Sequence, residues 1–337
     1  PFFLSPGSPF GFEQDTFDAH ARQTALTFLV MGPKVCDLES GVVVLLTLYN
    51  DALIVDRYGI LPVLAFGQLK NDEWRFAAGL QLDIFNPLNP TVLPFSYLFG
   101  SGNAGTYRGQ ARVERYFYPG PESQITLTGG ISDPTPTILS SSFDVSEDNG
   151  WPNVEGRIAV GFGPLEGEGL AAKRPIELAV SGIVGQIRNT IPVPAERIVA
   201  NIRGIGVDAR YAFTERCGVQ GEIFYGQTLG SYGAGVLQTV NTSTFEPIRT
   251  SGGFGEFYYY WIPDCLHSHL GYGIDDPNDN DVAPGQVLRN ETYFVNLIWD
   301  VTKHFRVAGE VTYRKTSFSF LRDNDGVGFH TQVMWKF

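Results

Sequence analysis

The sequence predicts an all-β fold: one transmembrane antiparallel β-barrel of sixteen strands, with short turns at one end and long loops at the other. Three observations predict it. The chain closes on GFHTQVMWKF, where Phe329, Thr331, Val333, Trp335 and Phe337 alternate with Gly328, His330, Gln332, Met334 and Lys336. A period of two puts the first set on one face of a strand and the second on the other, and the first set suits lipid. Similar two-sided stretches recur through the chain, separated by connections that are alternately very short and long. Finally, no run approaches the roughly 20 apolar residues that a spanning helix needs. The longest, GVVVLLTLYNDALIV from Gly41, is broken by Asn50 and Asp51.

Composition agrees. Aromatics make up 13% of the chain, with 25 Phe and 15 Tyr against 2 Met, and aromatic residues favour strands. The 39 Gly and 21 Pro supply turns but are spread without the periodicity of a linker, so residues 1–337 read as a single domain. A net charge of −12 excludes nucleic acid as a partner, because phosphate recognition needs a basic surface. Cys36, Cys217 and Cys265 have no CxxC spacing. Cys217 and Cys265 fall at turns of neighbouring hairpins, about two strand spacings of roughly 4.8 Å apart, which is beyond easy bridging. Pro1 opens PFFLSPGSPF without a basic leader, so the chain reads as mature or trimmed.

Read backwards from Phe337, strands are expected at 328–337, 304–316, 290–301, 265–274, 252–262 and 217–227. Their connections are tight at Thr302 and Lys303, at Pro263 and Asp264 and from Thr214 to Arg216, and long at 317–327, 275–289 and 228–251. Short turns at one end and long loops at the other are the asymmetry of outer-membrane barrels, and a soluble sandwich has no reason to sort its loops this way. Further strands are expected at 200–213, 175–188, 154–163, 123–131, 106–118, 74–84, 59–68, 42–50 and 20–30. That makes fifteen. Single-chain bacterial barrels have even counts, so a sixteenth is placed at 8–18 by parity, within an N-terminal segment at 1–19.

Strand 74–84 shows the sidedness: Phe76, Ala78, Leu80, Leu82 and Ile84 alternate with Arg75, Ala77, Gly79, Gln81 and Asp83. A barrel of this width leaves an aqueous channel, so the apolar face turns to lipid and the polar face inward. Parity then lists the pore-lining charges: Arg75, Arg112, Arg157, Arg210, Arg306 and Arg314 against Asp83, Glu114, Asp208, Glu222, Glu256 and Glu310. Rings of such charges set the field in a pore, although each also serves simply to solvate the wall. Aromatics at strand ends, among them Tyr116, Phe117, Tyr118, Tyr211, Phe213, Tyr259, Trp261, Trp299 and Trp335, suit interfacial girdles.

The segment Phe85 to Gly105, FNPLNPTVLPFSYLFGSGNAG, is too apolar for a solvated loop. It links the fifth and sixth strands, where pore-forming barrels fold a loop inward, and Tyr97 and Asn103 are its candidate constriction residues. The rival role for these apolar residues is a contact between subunits. GIDDPNDNDV offers Asp275, Asp276, Asp279 and Asp281, oxygen ligands of the kind Ca²⁺ takes, but Asp281 and Val287 stand where an EF-hand needs Gly and Glu. The competing reading is an acidic surface loop. His267 and His269 share one strand face with no third ligand in view. No GxSxG, HExxH, Walker or GxGxxG motif is present, so neither an enzyme nor a cofactor is expected.

ARQTALTFLVMGP from Ala21, DIFNPLNP from Asp83, GQARVERYF from Gly109, GEIFYGQTLGSYGAG from Gly221 and the stretch from Gly271 through DDPNDNDVAPGQVLRNETYFVNLIWD resemble the DcaP-like porins. The match spans most of the chain and is best beyond about residue 200. The resemblance implies a trimeric sixteen-stranded barrel in the bacterial outer membrane, in contact with lipid and lipopolysaccharide. It also implies passive diffusion of small anions such as dicarboxylates through an arginine-bearing constriction. The first third diverges, so Arg75, Arg112 and Arg157 rest on parity and not on a matched motif. The N-terminal coiled coil of some members has no counterpart here. An outer-membrane barrel enzyme or adhesin, and a soluble β-rich binding protein, are the alternatives left open.

Overall fold

The computed structural model describes residues 2–8, 15–21, 23–50, 58–135, 150–166, 173–192 and 195–337. Their strands are β1 Ala25–Met31, β2 Glu39–Asn50, β3 Tyr58–Lys70, β4 Trp74–Leu82 and β5 Tyr107–Gly120. β6 (Ser123–Ser132), β7 (Asn153–Phe162), β8 (Ile176–Pro192), β9 (Ala195–Ala212) and β10 (Cys217–Gln227) follow. β11 (Arg249–Ile262), β12 (Leu266–Pro277), β13 (Val287–Thr302), β14 (Phe305–Phe318) and β15 (Asn324–Trp335) come last. Together they form one sheet of 15 strands in chain order, each antiparallel to the one before it.

Burial alternates along β13, β14 and β15, and it is inverted relative to a soluble sheet. On β13 the buried residues include Asn290, Thr292 and Asn296, whereas Tyr293, Val295, Leu297 and Trp299 are exposed. On β14, Glu310, Thr312 and Arg314 are buried and Val307, Val311 and Tyr313 exposed. The outward face carries two aromatic girdles. Trp261, Trp299 and Trp335 lie at the turn end, and the Tyr272, Tyr293 and Tyr313 row lies towards the loop end, with Tyr272 and Tyr293 centroids 4.6 Å apart. Six residues separate Tyr293 from Trp299, about 20 Å of strand, close to the apolar band of an outer membrane. Tyr116 departs from expectation: it shares the inward parity of Arg112 and Glu114 and donates to Glu114 Oε2 at 2.5 Å. No helix among the described residues is long and apolar enough to cross a membrane.

Turns at 71–73, 121–122, 213–216, 263–265 and 303–304 occupy one end, and connections at 83–106, 133–152, 228–248 and 278–286 the other. Several loops are shorter than expected because ladders extend into them. β15 begins at Asn324, which confines the expected 317–327 loop to 319–323. β8 and β9 are the longest strands, 17 and 18 residues, and form a hairpin at the loop end. The expected strand at 8–18 falls mainly on 9–14, outside the described residues, and its described flanks are not in a strand. Residues Phe2 to Gly7 instead cross the loop ends of β13 to β15. Asn290 donates to Phe2 O (3.0 Å), Leu4 N–H to Thr316 Oγ1 (3.0 Å) and Asn324 to Ser5 O (2.9 Å).

The two ends of the strand order meet. Gln332 of β15 donates to the Gln23 side chain at 2.6 Å, two residues ahead of β1. A sheet this wide brings its edges together only by rolling into a barrel. Its buried apolar clusters lie inside the ring. Phe85 and Ala104 pack with Ile187, Ile202, Leu229 and Tyr232 in one of them, and Val92 and Leu98 with Phe254 and Phe294 in another.

Candidate functional site

Both of these clusters are built on the connection between β4 and β5, residues 83–106. This segment has no ladder partner, so its buried backbone N–H groups need acceptors from elsewhere. Carboxylates on the inward faces of the strands supply them. Glu155 Oε2 on β7 accepts from the backbone of Ile84 (2.8 Å) and Phe85 (3.0 Å). Glu256 on β11 takes Thr91 N–H (2.7 Å), and Glu310 on β14 takes Leu93 N–H (3.0 Å). On the way back, Asp275 on β12 takes Gly102 N–H (3.1 Å) and Glu222 on β10 takes Ala104 N–H (2.8 Å). Asn290 and Asn296 of β13 donate to Gly100 O (2.6 Å) and Thr91 O (2.7 Å), so acceptors and donors on the wall match the loop's own backbone.

The loop lies flat because the wall beneath it lacks side chains at key points. A Cβ at Gly206 would collide with the Asn86 side chain, and one at Gly273 with Ser101 O. Gly102 at the tip has φ +103°, and a Cβ there would strike the Gly253 carbonyl. Tyr97 and Leu98 adopt left-handed backbone without glycine, at φ 46° and 59°. Such geometry persists where surroundings over-determine it. Here Asn103 donates to Tyr97 O at 2.6 Å.

At the base of the loop stands Arg108 of β5, fully buried with Asp83. Its Nε reaches Asp83 Oδ1 at 2.7 Å, Nη1 donates to Asp133 O (3.0 Å) and Nη2 to Ser231 O (2.7 Å). Its guanidinium carbon lies 3.8 Å from the centroid of the Tyr232 ring. One side chain therefore ties three loops to the wall. Burial pushes the Asp83 carboxyl up to about 7, and Arg108 beside it pulls the other way. Neither Arg108 nor Glu155 was singled out from sequence, although each shares strand parity with a residue that was, Arg112 and Arg157.

Arg75, Arg112, Glu114, Arg157, Asp208, Arg210 and Glu222 all lie on inward-facing strand positions, but with unequal exposure. Asp83, Asn103 and Glu222 are buried between loop and wall, so they fasten it and do not line open space. Arg75 and Arg112 retain slight exposure and share one carboxylate: Arg75 meets Glu114 at 2.5 Å and Arg112 meets it at 3.8 Å. Arg157 is held by Asp208 (2.6 Å) and Glu177 (2.8 Å), and Arg210 Nε donates to Gln220 at 3.4 Å. Arg306 pairs with Asp300 at 2.8 Å, and Arg314 donates to Thr292 at 2.9 Å. Tyr97 is half-buried against the cluster of Val92 and Leu98.

The four aspartates considered for Ca²⁺ do not converge. Asp275 is buried and accepts from Gly102 and Val236, Asp276 pairs with Arg289 (2.9 Å), Asp281 pairs with Arg249 (2.6 Å), and Asp279 lies in the turn between. Among the described residues no group of three or more His, Cys, Asp or Glu is placed to hold a metal ion. His267 and His269 bond to each other at 2.9 Å, and His269 also to Glu256 at 3.3 Å. Cys217 and Cys265 are free thiols.

No protein-family model and no curated protein matches the chain. Solved structures do. The outer membrane channel DcaP of Acinetobacter baumannii is similar with a TM-score of 0.72 at 16% identity, over 99% of this chain and 91% of that one. An anion-selective porin from Comamonas acidovorans aligns at 0.60 and 10% identity, over 95% and 91% of the two chains. OprB of Pseudomonas putida aligns at 0.52 and 11% identity, over 89% and 83%. At such identities the likeness establishes a common fold.

Proposed function

From the premise that the chain has the barrel fold of the outer-membrane channels, we propose that it is a porin: a passive diffusion pathway for small hydrophilic solutes across the bacterial outer membrane. One observation carries the reading. A barrel whose outward face is apolar and whose inward face carries the charged residues holds one long loop against its inner wall. Residues 83–106 act as the constriction. The reading assigns no catalysis, since the buried carboxylates are committed to the loop's backbone. Lipid covers the outward face, lipopolysaccharide meets the loop-end rim, and the protein works as a homotrimer, as porins of this fold do.

Solutes pass by diffusion, weighted by the field of the residual charges. Arg75 and Arg112 share a single carboxylate, Glu114, which leaves a net positive charge on the wall of β4 and β5 and favours anions. Reconstitution into planar bilayers tests this. Openings in groups of three, with a reversal potential on the anion side in a KCl gradient, are expected, and Arg112→Glu moves that potential towards cation preference. A silent protein overturns the proposal, and an unchanged potential removes Arg112 from the selectivity site.

A further inference from the structure

The inner wall is not uniform. Among the described residues, loop 83–106 bonds to inward-facing side chains of β5, β7, β8 and β10 to β14 and to Gln23, which stands just ahead of β1 and donates to Leu93 O at 2.7 Å, but none of its hydrogen bonds reaches β1 to β3 themselves. What the loop leaves open is therefore bordered by β1 to β4, with Arg112 of β5 at the edge. There the register places Leu29, Val43 and Phe66 in one cross-strand row, with Leu45 and Leu64 in the next. Val43 and Phe66 are themselves buried with Ala77, so the open part of the strip is Leu29 and Met31, flanked by the partly buried Leu45 and Leu64. Their side follows from Arg75, which faces inward to Glu114 and whose guanidinium carbon lies 5.3 Å from the centroid of the Phe66 ring. Leu29 is 64% exposed and Met31, on the same face, 70%.

Elsewhere the inward apolar residues, Phe254 and Phe294 among them, are covered by the loop, whereas this strip is left to water and needs a use. Its border is cationic, because Arg75 and Arg112 together outnumber Glu114. An apolar surface with one net positive charge at its edge complements an anion that carries a single charge on an apolar body. Such a solute shields the leucines from water while its charged end stays at the arginines. A compact dianion reaches the same arginines but leaves the strip wet.

Resting on the porin reading, we infer that this channel conducts amphipathic organic monoanions, carboxylates or sulfonates on an aliphatic or aromatic body, in preference to compact dianions. The resemblance noted in the sequence implies dicarboxylates, so the two expectations part here. Binding along the strip speeds passage as long as it stays weak enough for release.

The test uses permanently charged solutes, so that neither crosses lipid as a neutral acid. Release of benzenesulfonate and of 1,2-ethanedisulfonate is followed from proteoliposomes holding the full chain. Benzenesulfonate is expected to leave about fivefold faster, a few buried CH groups' worth of transfer free energy. Leu29→Ser with Leu64→Ser should bring the two rates within about twofold at unchanged KCl conductance. Met31→Gln, at a highly exposed site, gives a smaller shift in the same direction and serves where the double variant does not fold. Equal rates, faster disulfonate, or a ratio that folded variants do not move overturns the inference while KCl conductance keeps the porin reading standing. Absence of KCl conductance overturns both.

Discussion

The wall of β7 to β14 and the wall of β1 to β3 are made of the same alternating strand, yet they differ in what they offer the lumen. Under the loop the inward residues include the carboxylates Glu155, Glu222, Glu256, Asp275 and Glu310, all nearly or fully buried, beside apolar Phe254 and Phe294 that the loop covers. Opposite it they include Leu29, Met31, Leu45 and Leu64. The difference teaches that inward polarity in this barrel is mainly a means of fastening. A loop laid on a sheet face brings unpaired backbone N–H groups with it, and only the strands beneath need to answer them.

That contrast can be broken most forcefully at Arg108. Arg108→Met leaves the Asp83 carboxylate buried and unpaired, and losing one partner of a buried pair costs about 3–5 kcal/mol. The expected outcome is a marked fall in thermal unfolding temperature in detergent, with noisier and larger conductance as the three loops loosen. Glu155→Ala comes next. It orphans the N–H groups of Ile84 and Phe85 at about 1–3 kcal/mol each, and urea unfolding followed by heat-modifiable gel mobility should register it. Gly102→Ala forces a Cβ against the Gly253 carbonyl, so the loop tip must lift, and single-channel conductance should rise even where stability falls only modestly.

On the uncovered wall the same scale of change should barely register in stability. Met31→Ala is expected to stay within about 0.5 kcal/mol, because an exposed side chain without special contacts contributes little. A larger loss would mean that the strip is covered. The smallest effect lies at the outer rim, where hydrogen bonds from Arg249 hold the Asp281 carboxyl below its usual range. A depressed carboxylate stabilises the fold above its unfolded value and loses that contribution as pH falls through its folded value. Acidification below about 4 should therefore loosen this pairing slightly, and Asp281→Asn should remove that slope from the unfolding temperature.

Much of the architecture was legible because a period of two is a local signal. Phe329 to Phe337 and Phe305 to Tyr313 show their sidedness without any knowledge of partners, and expected strand bounds lie within a few residues of the ladders. Tyr116 was misplaced when YFY was taken as an aromatic unit, although alternation from Arg112 already put it inside. Asp275 was grouped with its acidic neighbours, whereas its parity with His267 and His269 points it at the lumen. Contacts across the ring were beyond local reading. Thr91 and Glu256 are 165 residues apart, and Leu93 and Glu310 are 217 apart, so nothing in their surroundings announces the bond.

The bridge between Gln23 and Gln332 has a consequence for how the molecule is made. Its partners are separated by 309 positions, so the seam stays unsewn until the last strand has been delivered. Until then the growing ribbon carries bare margins at β1 and at its most recent strand, each able to pair with a foreign strand. Long-range pairing of this kind is also slow, since its entropic cost falls due before any contact repays it. The longer the seam stays open, the longer those margins are exposed to stray pairing.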